Sequence, residues 1–296
     1  MSPNYDPARI RAEVQAESTK FFNMGMADLN YLMAVYPKEL GQMLPLVRYI
    51  LDRIDSVNLL VNAGKKWDAN IIWRSVLEVF GKFLKITNPA NEPELRSEKL
   101  NEFWVEIADI ERMKDSNWAK KILATDRLKD EKLYEPLVLT EEQENELKAK
   151  PTYDNRAYRK ALTEGWSFNN IMMTLLKENK TFHLIPLSHL QHKYILLSHI
   201  VHGDAWGLNQ INLDKQYDEE TEVANRLTEF IGFAKAINEL LIFMNLELSW
   251  IVGEKAMFQE NVNNYHRFNP YIRAQAKLAM DELFRLQDER LPSEYR

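Results

Sequence analysis

Apolar residues recur at three- and four-residue intervals along most of the chain, the spacing that gathers them on one face of an α-helix. The pattern predicts a first helix over residues 8–36, stopped by Pro37, and a second over 39–61, kinked at the internal Pro45 and ended by Gly64. A third covers 68–86, with Asp68 as its N-cap and Asn88-Pro89 as its exit. At about 100° per residue, Ile72, Trp73, Val76, Leu77, Val79, Phe80, Phe83 and Leu84 fall on one broad face of this helix. Arg74, Ser75, Glu78, Lys82 and Lys85 fall on the other.

Residues 93–165 change character: charge rises and Pro93, Pro136 and Pro151 interrupt the pattern. Helices are expected at 94–114 and 117–128, and Thr140-Glu141-Glu142-Gln143 reads as a capping box opening a short charged helix. Apolar periodicity resumes at 166–177. Pro186 then opens a very apolar helix, 187–202, closed by Gly203-Asp204. Residues 219–261 read as one long helix, broken near Gly232 or Gly253, with 230–250 apolar nearly all round, as in a buried central or interface helix. Asn269-Pro270 is expected to start the last helix, 271–290. No strand alternation stands out. The expected fold is all-α: one multi-helix domain over 1–296, carrying 93–165 as a charged helical insertion.

Composition narrows the chemistry. The chain has 9 glycines, where average usage would give about twenty, and they are too dispersed for a GxGxxG or Walker phosphate loop. With no cysteine, disulfides, thiolate metal sites and cysteine nucleophiles are excluded. Lys and Arg number 38 against 44 Asp and Glu, a net charge of −6, unlike a basic nucleic-acid coat protein. Charges at Asp6, Arg9, Arg11 and Glu13 interrupt any apolar signal run, and no transmembrane stretch is expected, so the location expected is cytoplasmic.

Two polar groupings carry chemistry. On the 187–202 helix, Gln191, Ser198 and His202 share a narrow strip flanked by His192 and His199, on an otherwise apolar surface. Such a strip must face water, a cleft or polar partners, because unpaired buried polar groups are costly. On the third helix, Arg74 and Glu78 stand four apart, as in a surface ion pair. Ser198 lacks a Gly-x-Ser-x-Gly elbow, and a mid-helix serine usually bonds back to its own helix. His199, His202 and Glu78 are metal-capable donor types, but no Glu-x-x-His motif accompanies them, and neither metal nor cofactor is expected. Basic residues with aromatic neighbours at 112–132 and 148–160 read either as a solvated charged face or as a track for a phosphate backbone.

Asp68-Ala69 and Arg74-Ser75-x-x-Glu78, followed far downstream by Tyr194-x-x-x-Ser198-x-x-x-His202-Gly203, resemble an uncharacterised bacterial helical family, the domain of unknown function numbered 5677, over roughly residues 45–250. The resemblance implies that Arg74, Glu78, Ser198 and His202 converge within a helical bundle. More distantly the arrangement is similar to HEPN-type helical proteins, many of which are RNA-cleaving toxins or defence effectors. Their hallmark, an arginine shortly before a histidine on one helix, is not met: Leu197, Leu196 and Ile195 precede His202, and only Lys193 offers a cation ahead of His199. On this resemblance Arg74 would supply the guanidinium from another helix, His202 the base, Glu78 the orienting carboxylate and Ser198 a phosphate or imidazole contact. The expected partner is RNA or a nucleotide, with a homodimer through the apolar 230–250 segment. The alternative is a non-enzymatic scaffold, sensor or partner-binding protein whose polar residues form a structural network.

Overall fold

Helix starts in this chain are set by side chains and prolines. The computed structural model describes residues 5–88, 92–125, 132–178, 187–214 and 217–290. The Asp6 carboxylate accepts the backbone N–H groups of Ala8 and Arg9, both at 3.1 Å, and Pro7 occupies the first turn of α1 (Pro7–Val35). Pro37 opens α2 (Pro37–Leu40), and a 3-10 turn leads into α3 (Leu44–Asn62). Pro45 therefore sits in the first turn of a new helix and kinks nothing; the missing N–H is one that no helix start can pair. Gly64 turns the chain at φ 71° into α4 (Lys66–Thr87). Asp68 lies in the first turn of α4 and is not its cap, since the helix begins two residues earlier than its apolar pattern.

The charged section contains α5 (Pro93–Asn101), a π-helical turn (Glu102–Ile107) and α6 (Ala108–Leu123). The two helices expected here are fused, because α6 runs through Asn117 without a break; residues 126–128 lie outside the described residues. A 3-10 turn (Lys132–Leu137) precedes α7 (Glu141–Lys148), whose capping box has Thr140 and Gln143 in reciprocal bonds of 3.2 and 3.0 Å. Then come α8 (Pro151–Asp154), α9 (Arg156–Gly165) and α10 (Phe168–Glu178). Residues 90–177 form a compact unit of their own, with a small core at Met113, Leu139 and Leu147.

The other unit joins residues 1–89 to 178–296. Its later helices are α11 (Leu187–His202), α12 (Ala205–Asp214), α13 (Glu219–Val252) and α14 (Lys255–Arg290). Pro186 lies outside the described residues. The sequence pattern missed α12, whose Trp206, Leu208 and Leu213 are exposed and show no buried periodicity. Asp218 caps α13 by accepting Thr221 N–H at 2.8 Å, with Glu219, Glu220 and Glu222 in the first turn. Of the two expected break points, Gly253 is the one used, at φ 78°; Gly232 stays helical. α14 begins at Lys255 and runs through Pro270, contrary to the start expected there. An internal proline costs about 3 kcal/mol. Phe268 and Ile272, on either side of it, are both fully buried, and each such side chain returns about 1.5–3 kcal/mol.

No strand occurs among the described residues, and the architecture is the all-α bundle the pattern predicts. α13 is the hub of its unit, packed against α1, α3, α4 and α14. Residues 237–249 are all buried within one chain. The apolar middle of α13 is thus covered by neighbouring helices of the same chain, while Trp250, at the end of the segment expected to form a dimer interface, is exposed. None of the helices in the described residues is long and apolar enough to cross a membrane.

α1 and α13 approach closely at Gly25. A Cβ built there would meet Leu241 side-chain atoms at 2.7 and 2.8 Å, and the Gly25 carbonyl accepts Asn245 Nδ2 at 2.8 Å. Gly25→Ala is expected to destabilise the fold by about 1–3 kcal/mol through overpacking. In a Leu241→Ala background the same change should cost less, a non-additivity that a double-mutant cycle by chemical denaturation reads directly.

Candidate functional site

α4 buries Trp73, Val76, Leu77, Phe80, Phe83 and Leu84, the face its periodicity predicts. Trp73 meets Phe233 of α13 edge-on, at 6.1 Å between ring centroids. That contact turns the Arg74 and Glu78 face away from the centre and toward α11, which packs on α4.

There the side chains converge across more than a hundred residues of sequence. Arg74 Nε donates to Ser198 Oγ at 3.2 Å, and Arg74 Nη2 donates to Tyr194 OH at 3.0 Å. The Tyr194 hydroxyl in turn donates to Glu78 Oε1 at 2.7 Å, and Glu78 pairs with Arg74 Nη2 at 3.1 Å. The guanidinium carbon lies 4.8 Å from the centre of the Tyr194 ring. Ser198 donates to the Tyr194 carbonyl at 3.0 Å, the back-bond expected of a mid-helix serine and not the pose of a nucleophile. The Arg74 side chain is 19% exposed and that of Glu78 37%. Among the described residues Nη1 of Arg74 has no hydrogen-bond partner, so one edge of the guanidinium is pinned and the other is open.

His202 is not bonded to this cluster among the described residues, and it is exposed. Its level can be read from the antiparallel pairing. Glu78 meets Tyr194 and Arg74 meets Ser198, so the next turn sets His202 at the level of Asn70, about 6 Å along the axis from Arg74. One turn further along α4, Lys66 and Trp67 line a cavity of about 200 Å³ with Ile211, Glu222 and Arg226. Three of the four residues expected to converge are therefore directly joined, and the fourth stands one turn away.

Two residues that the pattern named take roles it did not assign. Tyr194 is the hub of the cluster; its position, one turn before Ser198, was the available signal. His199 is the second. Its Nδ1 lies 2.5 Å from Asp204 Oδ2, and its ring packs against Trp206 at 5.2 Å, tilted by 54°. Asp204 also caps α12 by accepting Gly207 N–H at 3.0 Å, and that bond, followed by the one to His199, holds its carboxyl below the usual aspartate range. Gly207 permits this corner, because a Cβ there would come within 2.5 Å of the His199 carbonyl oxygen. His199 is thus committed to Asp204, and Glu78 to Arg74 and Tyr194. The described residues hold no group of three metal-capable side chains.

Several cations of the two basic stretches are paired where they are described. Lys120 and Lys148 pair with Glu144, Lys150 with Asp109, Lys114 with Glu111 and Lys160 with Glu164. Residues 126–131 lie outside the described residues. Exposed pairs of this kind contribute about 0–1 kcal/mol each; among the described residues Lys121, Arg156 and Arg159 of these stretches make no ion pair.

Burial, and then the bond to Glu78, push the Tyr194 phenol up to about 12. Tyr5, Tyr36 and Tyr158 are pushed up to about 12 as well, so near-ultraviolet titration should show Tyr194→Phe losing the amplitude of one tyrosine in that range and Glu78→Gln moving one downward. Lys193, on another face of α11, holds its ammonium 4.8 Å from the Phe233 ring centre, and burial lowers its pKa. Between that lowered value and the ordinary lysine value the unfolded chain binds more protons than the folded one, so this group makes stability rise with pH. Lys193→Met should raise the melting temperature at neutral pH, with the gain shrinking as pH approaches the ordinary lysine value.

A family model matches residues 43–221, described as a family of unknown function, DUF5677. No curated protein and no solved structure matches the chain. The matched segment covers well over half of the protein and contains Arg74, Glu78, Tyr194, Ser198 and His202. The chain is a member of the DUF5677 family.

Proposed function

We propose that this protein is a HEPN-like helical effector, of a toxin or phage-defence kind, that acts on RNA or a nucleotide at the α4–α11 face by metal-independent phosphodiester cleavage. The observation that carries this reading is the state of Arg74: Ser198, Tyr194 and Glu78 fix one edge of its guanidinium, and Nη1 remains open on a partly exposed surface. A fixed guanidinium with free donors suits a phosphate oxygen, where it would offset charge gathering on the phosphorane. His202, exposed one turn away, is the base in this scheme. It removes the proton of the ribose 2′-hydroxyl, whose oxygen bonds to phosphorus as the bond to the 5′-oxygen breaks. The products are a 2′,3′-cyclic phosphate and a 5′-hydroxyl, with the proton returned to the leaving oxygen. Lys66 at the neighbouring cavity supplies a cationic contact for the rest of the strand, beside Arg226, which is paired with Glu222.

One observation favours a second reading, a scaffold or partner-binding protein. Arg74 is tied to Ser198 and Tyr194 as well as to Glu78, which already balances its charge. Removing one partner of such a part-buried charged cluster costs stability in its own right.

The two readings separate in one experiment. Purified wild type, Arg74→Ala and His202→Ala are incubated with single-stranded RNA, products are resolved by length and end group, and melting temperatures are recorded in parallel. The enzyme reading expects cyclic-phosphate ends from wild type and at least a hundredfold loss in both variants, His202→Ala melting like wild type. Absence of cleavage by wild type, or equal cleavage by all three, overturns it. A lowered melting temperature for Arg74→Ala without any cleavage by wild type establishes the network as structural.

A further inference from the structure

Away from the α4–α11 face, a half-open cavity of about 180 Å³ lies between α1, α3 and α13, walled by Phe22, Phe230 and Phe233. Its polar lining is neutral throughout, hydroxyls and amides with no acidic side chain, including Ser18, Asn58, Asn62 and Asn238. Asn238 is 3% exposed. Its Nδ2 donates to Ser18 Oγ at 3.0 Å and to the Ala234 carbonyl at 2.9 Å, while its Oδ1 has no partner. A buried acceptor left unmade is a cost that a ligand's N–H would remove. Ser18, having accepted from Asn238, keeps its own O–H to donate.

An acceptor and a donor side by side between aromatic walls match the edge of an amino-bearing heterocycle, the pattern that asparagine amides read on adenine. Size limits what enters. A dry cavity of about 150 Å³ holds a benzene molecule, so this one takes a single base and not a whole nucleotide. The remainder would leave by the mouth, where Arg11 stands. Its guanidinium carbon is 4.5 Å from the centre of the Phe230 ring, and its Nη2 donates to Asn62 Oδ1 at 3.1 Å.

We infer that this cavity binds a nucleoside monophosphate with an amino-bearing base, the base held among Phe230, Phe233, Ser18 and Asn238 and the phosphate held at Arg11. The site is separate from the cleavage proposed on α4 and α11. Phe233 nevertheless touches both the cavity and Trp73 of α4, so occupancy would bear on the helix that carries Arg74.

Titration calorimetry on the full chain with AMP, UMP, adenosine and inorganic phosphate tests the inference. AMP should bind saturably, and UMP, which lacks the exocyclic amine, at least about tenfold more weakly. Arg11→Ala should bring AMP down to the affinity of adenosine and leave adenosine unchanged. Ala234→Phe, which fills the cavity, should abolish binding; Thr19→Tyr, at the exposed mouth, should do the same without disturbing the core. No saturable AMP binding at millimolar concentration, equal binding of AMP and UMP, or undiminished binding in Thr19→Tyr overturns it. The readout is binding alone, so its failure is distinguishable from failure of the RNA-cleavage reading.

Discussion

Burying the middle of one long helix, residues 237–249 of α13, on all sides constrains everything else in its unit. Each polar group α13 carries into the interior needs a partner at a fixed place on a neighbouring helix, or the fold loses about 1–3 kcal/mol per orphan. Asn238 finds Ser18 on α1, and Asn245 finds the Gly25 carbonyl two turns further along the same helix. Those two bonds, together with the missing side chain at Gly25, specify how α1 lies on α13 more sharply than apolar contact could. Hydrophobic burial is non-directional, whereas a buried amide accepts only a narrow range of partner positions.

That constraint reaches the candidate site through Phe233 and Trp73. With the apolar face of α4 committed to the interior, Arg74 and Glu78 have one direction left, and α11 brings Tyr194 and Ser198 to meet them. The matched family segment, 43–221, includes α3, α4, α11 and α12 but only the beginning of α13 and none of α1 or α14. In this chain the cluster therefore rests on a core that the family model does not reach. The corner between α11 and α12 is built separately, by Gly203 at φ 59° and by Gly207 against the His199 carbonyl.

The unit formed by residues 90–177 solves a different problem. It buries apolar side chains such as Trp166, Phe168 and Met172, and it also organises charge. Its π-helical turn buries Glu102, which accepts Trp166 Nε1 at 2.9 Å and pairs with Lys99. Glu106, on the same turn, accepts Thr152 Oγ1 at 3.0 Å and Tyr158 OH at 2.9 Å. Two carboxylates of one irregular turn thus hold α8 and α9, and most described lysines of the unit are matched to acids nearby.

The sequence by itself determined that the protein is helical, and it placed most helix ends. A capping box, a proline or a glycine acts within one turn of where it stands, so Thr140-Gln143, Pro37 and Gly64 could be read directly. The polar strip on an apolar helix singled out Ser198 and His202, since such residues need partners, whereas spacing read Arg74 and Glu78 only as a surface ion pair and the family resemblance joined all four. Tertiary packing decided what local signals could not. Pro270 stays inside a helix because Phe268 and Ile272 are buried on both sides of it, and Gly232 passes without a break between the buried Ile231 and Phe233. Tyr194 emerged as the hub, and His199 as the histidine held by a carboxylate, only when helices distant in sequence were brought together. Spacing along one helix fixes the direction of a side chain, but the identity of its partner depends on which other helix the core has left beside it.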